Sequence, residues 1–287
     1  MDIKRALLLY KISIYDYYTK SSLTGGVSDQ EMSRFQITHD RHYRALEAVE
    51  SACHSAGIPY HLQERGSLKD YARYDLIVTI GGDGTFLEGA RYTENQLILG
   101  VNSDPHWSVG RFCTCTPDTF AESLTALTQD RHYVQELTRL QVETVKDPRT
   151  ILFINDILVC HAHPAVLSRY EITLNGHTEE HRDSGIWIST AAGSTGAIRS
   201  AGGEVLDPEK SEFQYMPREL YPGWNEGEYS LTGGVLPADA ELRLRSLMPE
   251  GVIYVDGAHE RQAFPSGEEA VIRRSGSPLR VIRCGHS

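Results

Sequence analysis

The sequence has no long apolar run and no excess of positive charge. No stretch of its 287 residues approaches the roughly 20 consecutive apolar residues of a membrane span. The formal net charge is −11, which argues against nucleic acid as the main partner. The apolar run near the N-terminus is too short for a secretory signal. We therefore expect a cytoplasmic protein that has neither a membrane nor a nucleic-acid partner.

The sequence also lacks a regular pattern of cysteines. Its five cysteines are scattered over positions 53, 113, 115, 160 and 284, and the odd count argues against a disulfide framework. Cys160-His-Ala-His163 contains three residues of metal-ligand type, but no second cluster completes a tetrahedral site. We therefore predict no metal site built from these side chains.

A glycine-rich turn carrying one acid is the most informative segment. An apolar run at residues 76–80 leads into Gly81-Gly-Asp-Gly-Thr85, and a helix is predicted to start directly after it. Backbone N–H groups of such a turn can approach a phosphate closely. A carboxylate beside phosphate is costly unless it holds a metal or accepts a proton. Asp83 therefore favours phosphoryl transfer over simple binding.

Strand and helix signals alternate over residues 1–132, which predicts an α/β domain with a parallel, Rossmann-like sheet. Ligands of such sheets bind beyond the carboxyl ends of the strands, where Asp83 and Asn102 both fall. Residues 39–56 have helical spacing, whereas residues 19–38 are predicted to form a polar loop.

Residues 133–287 contain short strand signals separated by turns, which predicts an all-β sandwich as the second domain. Unbroken strands are expected over residues 134–145 and 151–159, and a polar loop over residues 204–228. Two segments could bind a nucleotide. Asn155-Asp156 could read an adenine edge and a ribose, or could form an Asx turn. Residues 189–196, rich in small and hydroxyl side chains, could lie against a dinucleotide or could be a flexible linker.

These motifs, in this order, resemble those of the NAD kinase family. The matching segments are Gly81-Gly-Asp-Gly-Thr-Phe-Leu87, Gly100-Val-Asn102, Asn155-Asp156, residues 184–195 and Ser200-Ala-Gly-Gly203. Several details are similar to the plant-type NADH kinase branch, among them Gly100-Val-Asn-Ser-Asp-Pro105 and Gln214-Tyr-Met216. The family architecture, an α/β domain followed by a β-sandwich, agrees with the pattern described above.

The resemblance implies transfer of the γ-phosphate of ATP to the 2′-hydroxyl of the adenosine ribose of NAD+ or NADH, with Mg2+ or another divalent cation. Asp83 matches the family's catalytic acid. The resemblance assigns phosphate and ATP binding to Gly81, Gly82, Gly84 and Thr85, and dinucleotide binding to Asn102, Asn155, Asp156, Ser184, Thr195, Gly196 and Ser200. Relatives form dimers or tetramers, so a homodimer or homotetramer is expected.

The chain departs from the family at two positions that bear on substrate choice. Ser184 stands where relatives often have an acid near the nicotinamide. The loss of that negative charge removes an attraction for the cationic ring of NAD+, so the preference for NAD+ over NADH should be smaller unless Asp183 compensates. Ala197 replaces a frequent tyrosine, so another residue must cover the adenine. A lipid kinase with a similar glycine turn and a non-catalytic NAD(P)-binding sensor are the alternative functions.

Overall fold

The structure is a computed structural model that describes residues 3–21, 26–67, 70–222, 229–258 and 260–283. It divides into two compact units. The first unit comprises the chain up to Gln135 together with the segment from Leu279, and the second unit spans Glu136–Pro278. Residues 22–25 and 223–228 of the two predicted loops, and Cys284, lie outside the described residues.

The N-terminal half of the chain contains both strands and helices. In order it forms β1 (Ala6–Tyr10), α1 (Ile14–Ser21), α2 (Asp29–Ser55), β2 (Tyr60–Glu64), β3 (Leu76–Gly81), α3 (Asp83–Tyr92), β4 (Leu97–Asn102), α4 (Pro117–Thr128) and β5 (Tyr133–Leu137). Strands β3 and β4 are buried along their whole length, as expected for a parallel sheet covered by helices on both faces.

The second unit is almost entirely β-structure. In order it forms β6 (Leu140–Thr144), β7 (Arg149–Phe153), β8 (Asp156–His161), β9 (Ser168–Leu174), β10 (His177–Asp183), β11 (Ile186–Thr190), the short α5 (Ala197–Ser200), β12 (Phe213–Pro217), β13 (Gly234–Leu236), β14 (Leu242–Ser246), β15 (Gly251–Val255), β16 (Glu260–Ala263) and β17 (Glu269–Arg274). Its strands pair in two sheets, β10-β9-β14-β17-β6-β7 and β13-β12-β11-β8-β15-β16. One apolar cluster joins side chains of both sheets, including Ile172, Ile188 and Phe213, so the predicted sandwich is confirmed.

The last strand, β18 (Leu279–Arg283), does not belong to the sandwich. It pairs in parallel with β4, and the first sheet runs β2-β1-β3-β4-β18-β5. The sequence-based domain of residues 133–287 is therefore wrong at both of its ends, because β5 and β18 lie in the first sheet. The alternating apolar pattern of these strands indicates a strand, but it carries no information about which sheet the strand joins.

The loop predicted for residues 19–38 is wrong. Most of it is helical, because α1 extends to Ser21 and α2 begins at Asp29. Ser28 caps α2 in a capping box with Glu31, a sequence signal for a helix start. Fully buried residues of α2 begin only at His42, so its first turns present no buried apolar face. None of the described helices is long and apolar enough to cross a membrane.

Two strand predictions and one further loop prediction also need correction. The expected strand over residues 134–145 is two strands in different sheets, β5 and β6, and the one over residues 151–159 breaks at Ile154 and Asn155. The loop predicted for residues 204–228 contains β12, which pairs with β11. The strands of both sheets are short because the chain turns at the end of each strand and continues in a neighbouring strand or in the other sheet.

Candidate active site

The glycine turn links β3 to α3. Gly81 ends the strand, Gly82 is the N-cap, and Asp83 is the first residue of the helix. The backbone N–H of Phe112 donates to Asp83 Oδ1 at 2.9 Å. An acid in the first turn of a helix interacts favourably with the helix dipole. Phe112 is the one described donor to this carboxylate, so Oδ2 is available to a substrate group.

The packing around the turn explains why two of its residues are glycines. A Cβ on Gly81 would overlap the Thr85 hydroxyl, and one on Gly82 would overlap the Ser108 hydroxyl. Gly84 is exposed, whereas Thr85 is only 1% exposed and its hydroxyl has no hydrogen-bond partner among the described residues. The Thr85 side chain therefore shapes the inside of the turn, and the phosphate contact predicted for it gains no support from its position.

Asn102 ends β4 and is 6% exposed. Its amide donates to the Ser108 carbonyl at 2.9 Å, and its Oδ1 accepts from the Asp104 N–H at 3.3 Å. A Cβ on Gly110 would overlap this amide. Asn102 thus holds the loop after β4 in place. Both polar atoms of its side chain are hydrogen-bonded to the backbone of that loop, so the dinucleotide contact predicted for it gains no support from its position.

In the second unit, Asn155 and Asp156 lie at the break between β7 and β8. The carboxylate of Asp256 accepts hydrogen bonds from the backbone N–H groups of Ile154, Asn155 and Asp156, at 3.2, 2.8 and 3.3 Å. The break is therefore held by a carboxylate from another strand end, and not by an Asx turn of Asn155 itself. The Asn155 side chain instead donates a hydrogen bond to the Asp156 carboxylate.

The glycine- and hydroxyl-rich segment after β11 folds onto this break. The Thr190 N–H and the Ser189 hydroxyl both donate to the Asn155 carbonyl, each at 3.1 Å. A Cβ on Gly193 would overlap that carbonyl oxygen. A Cβ on Gly196 would lie 3.3 Å from both Asn155 Nδ2 and Asp156 Oδ2. The segment is therefore tightly packed, which excludes the alternative of a flexible linker.

Asp156 is 4% exposed and accepts hydrogen bonds from the Asn155 side chain and the Ala197 N–H. Burial and the nearby Asp256 carboxylate raise the pKa of Asp156 to about 7, and these two hydrogen bonds only partly oppose the shift. Such an acid lies close to the change between its charged and neutral forms at physiological pH.

A cleft of about 500 Å3 opens beside this cluster. Its lining residues are Trp187, Ala197, Ser200, Ala201, Arg218 and Glu219. Thr195 is half-buried next to Gly196, and Ser200 is exposed at the end of α5. Ser184 donates a hydrogen bond from its hydroxyl to Glu219. The structure thus brings together Asn155, Asp156 and Gly196, and places Ser200 at the adjacent cleft.

Sequence reasoning missed four residues around these positions. These residues are Asp256, Phe112, Trp187 and Glu219. No local signal marks Asp256, because the amides it holds are about 100 residues earlier in the chain. Trp187 could have been found, since it precedes the small-residue segment and alternates with the buried Ile186 and Ile188.

Comparisons with known proteins identify the family of this chain. Residues 6–133 match the family described as the ATP-NAD kinase N-terminal domain. A probable NADH kinase from Oryza sativa subsp. japonica is 31% identical over 231 residues, which cover 72% of this chain and 70% of the relative. The chain belongs to the NAD kinase family. The predicted family and the predicted class of enzyme, a kinase, are confirmed.

Solved structures from the NAD kinase family share the fold. An NAD kinase from Archaeoglobus fulgidus, solved in complex with ATP, has a TM-score of 0.69 at 22% identity and covers 99% of this chain and 94% of its own. Yeast NADH kinase, solved in complex with NADH, has a TM-score of 0.69 at 18% identity. The match covers 99% of this chain and 84% of the yeast chain. The predicted fold class, an α/β domain with a β-sandwich, is confirmed.

Proposed function

We propose that the protein phosphorylates the 2′-hydroxyl of the adenosine ribose of NAD+ or NADH with ATP, giving NADP+ or NADPH. The observation that carries this proposal is the Asp83 carboxylate at the glycine turn, with one oxygen fixed by the Phe112 N–H and the other available. Asp83 takes the proton of the 2′-hydroxyl, the hydroxyl oxygen bonds to the γ-phosphorus, and the bond from that phosphorus to the bridging oxygen breaks to release ADP.

The dinucleotide is assigned to the cluster in the second unit. The Asn155 amide donates one hydrogen bond to Asp156, and its remaining N–H and its oxygen suit the edge of adenine, while the Asp156 carboxylate suits a ribose hydroxyl. Thr195, Gly196 and Ser200 offer small side chains and hydroxyls beside them. Trp187 lines the same cleft as Ala197 and supplies the aromatic surface that Ala197 lacks.

A divalent cation fits this chain as a partner of the nucleotide phosphates. The described residues contain no group of three or more His, Cys, Asp or Glu side chains that could cage a metal. Mg2+ commonly binds through one or two carboxylates together with substrate phosphates and water. The nucleotide phosphates and water would hold such an ion, because the free oxygen of Asp83 serves as the proton acceptor, and the ion would neutralise phosphate charge. Magnesium dependence, a homodimer or homotetramer, and a cytoplasmic location stay predictions.

Replacement of Asp83 by Asn tests the proposal. We expect Asp83→Asn to lower kcat for NADP(H) formation by at least 100-fold, since positioned proton acceptors contribute about 10²–10⁴. Dinucleotide binding, measured by calorimetry, should stay within about two-fold. Asp118→Asn is the matched control, because Asp118 is likewise an acid in the first turn of a helix. Full activity of Asp83→Asn would remove the assigned role.

The same assay separates the two alternative functions. A lipid kinase would phosphorylate diacylglycerol or a sphingoid base and not NAD(H). A non-catalytic sensor would bind NAD(H) without ATP-dependent turnover. Each substrate is therefore supplied with ATP, and the formation of NADP+, NADPH or phosphorylated lipid is followed in parallel.

A further inference from the structure

The carboxylate of Asp83 is oriented through Phe112, a residue that is itself held by several contacts. Phe112 is 7% exposed, and its N–H donates to Asp83 Oδ1 at 2.9 Å. Its ring stacks on the ring of Phe86, with 5.3 Å between the centroids and 7° between the planes. Its carbonyl oxygen accepts a hydrogen bond from Arg283 Nη1 at 3.3 Å. The orientation of the Asp83 carboxylate therefore depends on the groups that hold Phe112.

Arg283 is the last residue of β18 and lies 171 positions after Phe112 in the chain. Its Nη1 also donates to the Thr114 hydroxyl at 3.2 Å, and its Nε donates to Gln135 Oε1 on β5 at 2.8 Å. The Thr114 hydroxyl donates in turn to the Ile282 carbonyl at 2.6 Å. All of these residues belong to the first unit. The guanidinium thus fastens the end of the loop after β4 to both β18 and β5.

The partners of this guanidinium are unusual for a half-buried charge. Among the described residues, its acceptors are a backbone carbonyl, a hydroxyl and a side-chain amide oxygen, all of them neutral. A charge taken out of water without an opposite charge beside it costs stability, and burial lowers the pKa of Arg283 accordingly. Hydrogen bonds from a charged donor are short and directional. Arg283 therefore contributes the geometry that it imposes on its acceptors.

We propose that Arg283 is a positioning residue for phosphoryl transfer, which holds the Phe112 carbonyl so that the Phe112 N–H keeps Asp83 Oδ1 in place and leaves Oδ2 for the acceptor hydroxyl. The inference rests on the proposed function, in which Asp83 takes the proton of that hydroxyl. A proton acceptor works only within hydrogen-bond reach of the proton. Loss of Arg283 therefore lowers the rate of the chemical step and leaves substrate binding intact.

Kinetics of two arginine variants on the same strand test this role. We expect Arg283→Met to lower kcat for NADP(H) formation by about ten- to 100-fold, since a displaced reacting group can cost about 10²-fold. The KM values for ATP and for the dinucleotide should stay within about two-fold, because the interaction acts only on the chemical step. Arg280→Met is the matched control, since Arg280 is exposed on β18 and donates to the Asn95 carbonyl. It should keep the kcat of the wild type.

The conservative replacement gives a second reading. Arg283→Lys keeps the charge and one donor for the Phe112 carbonyl, but it loses the second nitrogen that binds Gln135. We expect its kcat to lie between the values of Arg283→Met and the wild type. A kcat of Arg283→Met equal to that of the wild type would overturn the proposal. Raised KM values with an unchanged kcat would overturn it too.

A double variant shows whether Arg283 acts through Asp83. Asp83→Asn already removes the proton acceptor, so Arg283→Met in the same chain has nothing further to misplace. The double variant should therefore have the kcat of Asp83→Asn within about two-fold, as for residues that act as one unit. If the two losses multiply, Arg283 affects the rate by another route, and the positioning role is overturned.

Hydrogen exchange at the Phe112 amide follows the positioning without turnover. In Arg283→Met this amide should exchange about ten-fold or more faster than in Arg280→Met, whereas the amides of β1 and the thermal unfolding midpoint should be equal in the two variants. Faster exchange over the whole first unit would show that Arg283 serves stability, and unchanged exchange at Phe112 would show that it does not hold this residue. Either result would overturn the proposal. A wild type that does not phosphorylate NAD(H), with faster Phe112 exchange in Arg283→Met, would refute the proposed function and keep the contact between Arg283 and Phe112 as the one that orients Asp83.

Discussion

The hydroxyl of Ser184 donates a hydrogen bond to the carboxylate of Glu219. Two backbone hydrogen bonds bring the segments together, from the Ser184 N–H to the Arg218 carbonyl at 2.9 Å and from the Arg218 N–H to the Gly185 carbonyl at 2.8 Å. Asp183, the acid considered as a replacement from the sequence, is fully buried and is bound by the Tyr170 hydroxyl and the Gly185 N–H. The carboxylate beside Ser184 therefore comes from Glu219.

Substitution of Glu219 should change the choice between oxidised and reduced dinucleotide. The nicotinamide ring is cationic in NAD+ and neutral in NADH, so a carboxylate at the cleft favours NAD+. We expect Glu219→Gln to lower the ratio of kcat/KM for NAD+ to that for NADH by about three- to ten-fold, the effect of a solvent-screened charge. The measurement compares both dinucleotides with ATP, and Glu122→Gln on the exposed face of α4 is the control. A ratio equal to that of the wild type would contradict the assignment.

Asp156 should make the stability of the protein depend on pH. Its folded pKa is raised to about 7 from an ordinary value of 3.8, so the folded state binds more protons than the unfolded state between these values. The free energy of unfolding therefore falls as pH rises from about 4 to about 7. Urea unfolding of wild type and Asp156→Asn at pH 5 and pH 8 measures this effect. The difference between the two proteins should change by about 2–3 kcal/mol in favour of the variant at pH 8, and parallel pH profiles would exclude it.

Gly193 should tolerate no side chain. A Cβ there would overlap the backbone carbonyl of Asn155, and a backbone atom cannot move aside as a flexible side chain can. We expect Gly193→Ala to destabilise the second unit by about 2–4 kcal/mol and to raise the KM for the dinucleotide. Gly276→Ala is the matched control in the same unit, since a Cβ at Gly276 meets no atom within 4 Å. Thermal unfolding and steady-state kinetics of the two variants are compared side by side. Equal stability and equal KM for the dinucleotide in the two variants would show that the backbone around Gly193 can move to accommodate a Cβ.

The sequence predicted the secondary structure around the candidate site well, because its signals are local. The β3–α3 turn shows its apolar run, its glycines and its acid within a few residues, and α4 shows Thr116 and Pro117 at its start. Asp256 and Glu219 were not predicted, because each acts on residues far away along the chain. The start of α2 was missed for a different reason, since its first turns bury no apolar residue and only the capping box at Ser28 indicates them.

The return of β18 to the first sheet has a consequence for synthesis. Because β18 follows the whole second unit in the chain, a ribosome completes residues 136–278 before it makes the strand that lies between β4 and β5. The nascent first unit must therefore keep β4 unpaired on that edge while the sandwich emerges, and unpaired strand edges associate with other chains. A nascent chain stalled before Leu279 would consequently expose this edge of β4 to pairing with other chains.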